Sequence, residues 1–394
     1  MIYLDHAATT PVDPEVADAM MPYLREEYGN PSGKYYCQAT HAKEAVEQAR
    51  ANVADLIGAE PEEIIFTAGA TESTNFIIKG YLDYQKYYGD GRNQVITSNA
   101  EHKATLHVCH FLNGDIYSNS DPSTSLFSRN NTIDRGFSAL FLPVDQYAAV
   151  SPEQVEYAFT PQTALVSLIY VNNEVGTIND ACAVGRLCRE HDIRFHVDAT
   201  QAVGKIPVNT DDISCDFMSF SAHKLYGPKG IGCAYLRSDG YGIPPITALL
   251  HGGEQEYGFR AGTLAVHNIV GFGKAAEIAK RRLVVDQKHM EDMDAYFLQR
   301  LTSISGLKLI NPTESRMKGI FSILVERENF NNERFIRRIS DEVAISTGSA
   351  CSAGEPSHVI EAIGQREQVH RILRVSLGRS TTRSDIDTFL NLLK

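Results

Sequence analysis

Two residues set the chemical question in this chain: Lys224, closing Ser219-Phe220-Ser221-Ala222-His223-Lys224, and Asp198, within His196-Val197-Asp198-Ala199-Thr200-Gln201. Each follows a short, apolar, β-prone run. So do three other polar groups: Thr71 and Ser73 after 64–67, Glu101-His102-Lys103 after 94–97, and Asn172-Asn173-Glu174 after 165–171. If the runs are parallel strands these groups converge, because ligands of open parallel sheets sit beyond the carboxyl ends of the strands. A lysine amine that has lost its proton can attack an aldehyde. A carboxylate such as Asp198 keeps a pyridine nitrogen protonated, which makes the ring an electron sink. An imidazole such as His102 can stack on a ring and move protons. The unsatisfied N–H groups of the Gly69-Ala70-Thr71 turn, at a helix start, suit a phosphate dianion. Pyridoxal 5′-phosphate has all four needs. Taken singly, each residue has a plainer reading: Asp198 could cap a helix, His102 could be structural and Lys224 a surface lysine. It is the combination that favours the cofactor.

The elements that must position these residues show as an alternation. Ala42, Ala45, Val46, Ala49, Val53 and Leu56 recur at helical spacing over 35–57, and Gly58 stops the helix. Runs at 64–67, 94–97, 139–142, 165–171, 194–197, 217–221 and 232–236 alternate with helical stretches, which predicts a mostly parallel sheet covered on both faces. Beyond about Gly252 a Gly-rich crossing segment leads into a long amphipathic stretch over 265–301, then into strands and short helices. The expected organisation is a large domain over 15–254 and a smaller α+β domain from 1–14 and 255–394. Residues 113–135, crowded with Asn, Ser and Asp, are expected to form a loop.

Longer motifs add a resemblance. With YLDHAATTPVDPEV, GNPS, FTAGATES, EHKA, VNNEVGTI, HVDATQAVGK, SFSAHKLYGPKGIG, GFRAGT, STGSACS, EPSHV and RVSLGR, nearly the whole chain resembles the class V aminotransferase-fold enzymes, specifically cysteine desulfurases of the NifS/IscS type. The resemblance implies an α/β, PLP-dependent transferase fold of the aspartate aminotransferase-like kind. It implies that Lys224 holds the cofactor covalently, His102 stacks on its ring and Asp198 pairs with the pyridine nitrogen. Gln201 and Asn173 would meet the ring hydroxyl, and Ala70, Thr71, Ser221 and His223 the phosphate. Thr263 would reach the phosphate of the other subunit, so a homodimer with shared active sites is expected. Arg374 would hold the substrate carboxylate, with Arg379 as its competitor, because a guanidinium fork suits that task. Cys351 would take sulfur from L-cysteine as a persulfide, leaving L-alanine, and pass it to an acceptor protein for iron–sulfur assembly, tRNA thiolation or DNA phosphorothioation. Residues 113–135 have no counterpart in typical members. The segment between Cys351 and Glu355 is two residues shorter than in the members it otherwise resembles, so the Cys351 sulfur is expected to stand clear of the cofactor at rest.

Competing readings are a selenocysteine lyase or another enzyme of the same fold, and a catalytically idle scaffold for an assembly partner. Cys351 speaks against transamination, which needs no mobile thiol. The intact set Lys224, Asp198, His102 and Cys351 speaks against an idle scaffold. Composition narrows the rest. A formal charge of −12 over 394 residues disfavours broad affinity for nucleic acid or anionic membrane. Seven cysteines at irregular spacing, none in a CxxC pair, do not suggest a disulfide framework or a zinc site, and no metal is expected. The opening MIYLDHAATT lacks a basic n-region and an apolar h-region, and no apolar run is long enough for a bilayer, so a cytoplasmic location is expected.

Overall fold

The computed structural model describes residues 1–117, 127–348 and 356–394. Its larger sheet has seven strands: β1 (Ile64–Thr67), β2 (Gln94–Ser98), β3 (Ser138–Leu142), β4 (Thr163–Ile169), β5 (Arg194–Asp198), β6 (Phe217–Ser221) and β7 (Gly232–Leu236). They lie in the order β1-β7-β6-β5-β4-β2-β3. Every neighbouring pair is parallel except those of β7, which runs antiparallel to β1 and β6. The strands are nearly continuous apolar runs because both faces are covered. Alternate side chains part to opposite faces. Ile64 and Phe66 join one core and Ile65 the other, and Val166 and Leu168 separate from Leu165 in the same way.

Helices α1 (Pro14–Arg25), α2 (Cys37–Ile57), α3 (Ala70–Tyr87), α4 (Lys103–Leu112) and α5 (Val266–Thr302) supply most of the cover. Phe76, Ile77, Val108 and Cys109 bring α3 and α4 onto one face, whereas Val46, Val53, Ile269 and Ala276 bring α2 and the start of α5 onto the other. The rest of α5 leaves this sheet. Its Met293, Phe297 and Leu301 pack against a three-stranded antiparallel sheet of β8 (Leu307–Leu309), β9 (Ile320–Val325) and β10 (Ile372–Ser376). The chain start belongs with this smaller sheet. Ile2–Tyr3 pairs with Val343–Ala344, and the Ala7 N–H donates to Ser376 Oγ at 2.8 Å.

Two features of the chain differ from simple expectation or go beyond it. Residues 113–135 are not a plain loop: Asp115–Tyr117 and Phe127–Thr132 pair antiparallel. Backbone pairing needs no apolar side chains, so a polar run can form a ladder that periodicity does not signal. The crossing segment is locked at the open edge of β1. There the Phe66 N–H donates to Glu256 at 2.7 Å, and Arg50 grips the same carboxylate with both terminal nitrogens at 2.8 and 2.7 Å. Glu256 and Tyr257 take φ of +48° and +57°, a left-handed conformation that side chains disfavour and that this lock maintains.

Candidate active site

The carboxyl edge of the large sheet and one end of β10 face each other across a cleft. Ala70, Thr71, His102, Asn173, Asp198, Gln201, Ser221, His223, Lys224 and Arg374 all line it. Thr263 does not; it is exposed in the segment before α5. Cys351 lies outside the described residues, and with it the expected stand-off of its sulfur from the cleft.

At one end of the cleft α3 begins. Gly69 has no side chain to cap the helix, and the Ala70 N–H donates to Ser221 Oγ at 2.7 Å. Close packing forms this turn: a Cβ on Gly232 of β7 would stand 2.6 Å from the Gly69 Cα. His223 follows β6 with its Nδ1 at 3.0 Å from Thr9 Oγ1; burial, with Lys224 nearby, lowers its pKa to about 4. The first turn of a helix, a hydroxyl and a neutral imidazole together make an anion cradle.

In the middle, Asp198 ends β5 and is almost wholly buried, with Oδ1 accepting the Thr200 N–H at 3.0 Å. His102 caps α4: its Nδ1 accepts the Ala104 N–H at 3.1 Å, which places the ring proton on Nε2. Burial pushes the His102 pKa down and Asp198 pulls it back up, with the net shift downward. Lys224 Nζ donates to the carbonyls of Ala7 and Ala8 at 2.6 and 2.7 Å. Gln201 Nε2 donates to the same Ala7 carbonyl at 2.8 Å, while its Oε1 accepts from Lys205 at 2.6 Å.

On the β10 side Arg374 is 1% exposed. Its Nη2 donates to Asp5 at 2.9 Å, and its Nη1 to the carbonyls of Asn173 and Gly348, each at 3.1 Å. Arg379 is engaged elsewhere, on Asp13 at 2.9 Å and Asp286 at 2.7 Å, and does not line the cleft. Residue type and spacing carry no task for Asp5, Ala7, Ala8, Lys205, Glu174 or His358. Asp5, Ala7 and Ala8 act on Arg374 and Lys224 from the opening motif, and backbone carbonyls carry no signal in residue type. Glu174 and His358 sit inside quoted motifs, so a cleft position was legible there even though a task was not.

A pyridoxal phosphate fits this set. The cradle suits its phosphate, Asp198 its ring nitrogen and Lys224 its aldehyde. Thr200 Oγ1 and Arg374 Nε, on residues lining the cleft, are buried with no hydrogen-bond partner among the described residues, so the cleft holds polar capacity for a ligand.

The family model for aminotransferase class-V matches residues 2–389. The chain belongs to the class-V aminotransferase family. Class-V enzymes of this kind depend on pyridoxal phosphate. A class-V relative, cysteine desulfurase IscS of Neisseria meningitidis serogroup C (strain 053442), is 39% identical over 398 residues, spanning 100% of this chain and 91% of that protein. A solved structure described as a NifS-like protein superimposes with a TM-score of 0.86 at 34% identity, covering 99% of this chain and 97% of its own. Another, SspA in complex with cysteine, gives 0.80 at 33% identity, covering 97% and 100%. Among the described residues of this class-V chain, no helix is long and apolar enough to cross a membrane.

Proposed function

We propose that this chain is a pyridoxal-phosphate-dependent cysteine desulfurase, which moves sulfur from L-cysteine to Cys351 and releases L-alanine. The observation that carries the reading is the meeting of Lys224, Asp198, His102 and Arg374 in one cleft, in a chain similar to IscS proteins and to a structure holding cysteine. When bound, the cofactor supplies an electron sink conjugated to the substrate Cα, so that a proton there becomes acidic.

The remaining work falls to this chain's own residues. Lys224 would hold the aldehyde end, and its amine is placed to move the substrate Cα proton. The Ala7 and Ala8 carbonyls keep its Nζ at the cleft. Asp198 keeps the ring nitrogen protonated, and its burial strengthens that interaction. His102, fixed by its cap bond, presents Nε2–H and a flat face for stacking. Ala70, Thr71, Ser221 and His223 would hold the phosphate, and Thr263 of a second copy would complete the cradle in a homodimer. Asn173 and Gln201 serve the ring hydroxyl. Arg374, already oriented by Asp5, takes the substrate carboxylate.

Sulfur transfer balances without an outside oxidant. The Cys351 thiolate attacks the substrate sulfur, an S–S bond forms as the C–S bond breaks, and the electron pair stays with carbon. Protonation of that carbon gives alanine. The persulfide then passes to an acceptor thiol on a partner protein, in the cytoplasm. With no reductant present, purified protein given L-cysteine should release one alanine per active site and gain one sulfur atom on the peptide containing Cys351. Alanine without that gain, or neither product, overturns the reading.

A further inference from the structure

The two described stems of the segment that carries Cys351 both come up to the side chain of Glu174. Glu174 follows β4, in the turn after Asn172-Asn173, and is 3% exposed. Its backbone is fixed from two sides: its N–H donates to Asn172 Oδ1 at 2.9 Å and its carbonyl accepts from Ser322 Oγ at 2.8 Å. On the downstream stem, Ser357 donates its hydroxyl to Glu174 Oε2, and next to it His358 Nε2 lies 2.8 Å from the Glu101 carbonyl. On the upstream stem Gly348, at φ +97°, passes so close that a Cβ would stand 2.8 Å from that same Oε2. Arg374 completes the join by donating to the carbonyls of both Asn173 and Gly348. Glycine is required at 348 both for its conformation and for this approach.

We propose that Glu174 is a positioning residue for sulfur transfer: its buried carboxylate anchors Ser357, on the downstream stem of the Cys351 segment, to the large sheet beside the cleft, where Gly348 of the upstream stem packs against it. Anchoring the two ends of any segment lowers the number of arrangements open to a group it carries, which raises the effective concentration of that group at a neighbouring site. Glu174 is not among the residues assigned above to the cofactor, so its loss should separate the two halves of the reaction. This inference rests on the desulfurase reading for its kinetic consequence, but not for the anchor.

The test uses the holoenzyme and the variants Glu174→Ala, Ser357→Ala and Glu174→Gln. Releasing the anchor from either side should speed alkylation of Cys351 by N-ethylmaleimide at least threefold. It should also slow single-turnover persulfide formation about tenfold, while cofactor content and the spectral change on adding cysteine stay within twofold of wild type. Glu174→Gln keeps an acceptor oxygen for Ser357 and should restore both rates to within about threefold. Should Glu174→Ala not fold, Ser357→Ala removes the same hydrogen bond from the other side. Unchanged alkylation in Ser357→Ala overturns the anchor, and so does equal loss of cofactor binding and persulfide formation. If alkylation responds as expected but wild type forms no persulfide, the anchor stands and the desulfurase reading fails.

Discussion

The division of labour in the cleft is set residue by residue. Lys224 is held by two backbone carbonyls, and His102 spends Nδ1 on a helix cap, so each side chain is oriented within the cleft. Cys351 stands apart from this machinery in the chain. Cys351→Ser should therefore bind the cofactor and give the spectral change with cysteine, yet form no persulfide and release less than a hundredth of the wild-type sulfide. Stopped-flow absorbance and sulfide assay check this, and undiminished sulfide would sink the persulfide route. Arg374 was legible in the sequence but only as one of two arginines. The tie of Arg379 to Asp13 and Asp286 separates them, and those partners lie hundreds of positions and scores of positions away in the chain.

Among the elements, the edge strand β1 has the most exacting support. Its outer Phe66 N–H and Ile64 carbonyl would face an unpaired edge, and Glu256 and Arg50 satisfy them at 2.7 and 2.6 Å. Because β1 runs directly into the Gly69-Ala70 turn, the lock also steadies the phosphate end of the cleft and the crossing segment leading to Thr263. Removing one partner leaves a buried charge unpaired. Arg50→Ala should cost about 3–5 kcal/mol of stability, measured by urea unfolding, and should weaken retention of cofactor on dialysis. A loss below about 1 kcal/mol would show that the edge tolerates an open carboxylate. The hairpin of Asp115–Tyr117 with Phe127–Thr132 teaches the opposite lesson, since polar residues there form strands that no alternation announces.

At the scale of the whole molecule, buried imidazoles make stability depend on pH. His196 crosses the middle of the large sheet, with Nδ1 at 2.8 Å from Ser167 Oγ and Nε2 at 3.0 Å from Ser219 Oγ, and burial lowers its pKa from 6.5 to about 4. Between those values the unfolded chain binds the proton more readily, so this contribution is complete above pH 6.5 and is lost as pH falls toward 4. The cost is on the order of 1 kcal/mol per pH unit. His6 and His223, also lowered to about 4, act in the same direction. The urea midpoint should drop from pH 7 to pH 5, and His196→Asn should show a shallower drop than wild type. Equal slopes would remove His196 from the account.

The alternation of apolar runs and helical periods determined the parallel sheet, and the residues after each run determined which side chains could meet at its edge. Both follow from local rules: strand and helix periods are written in neighbours, and a parallel sheet sends its carboxyl ends one way. Nine of the site residues expected from the sequence line one cleft for that reason, and Arg374 joins them from the smaller sheet. Distance in the chain hid the rest. That β7 enters antiparallel, that α5 serves two cores, that the opening segment lends its Ala7 and Ala8 carbonyls to Lys224, and that Glu174 accepts from Ser357 are contacts between positions far apart. Such contacts are chosen by packing and by the need to satisfy buried polar atoms, and only the folded chain decides them.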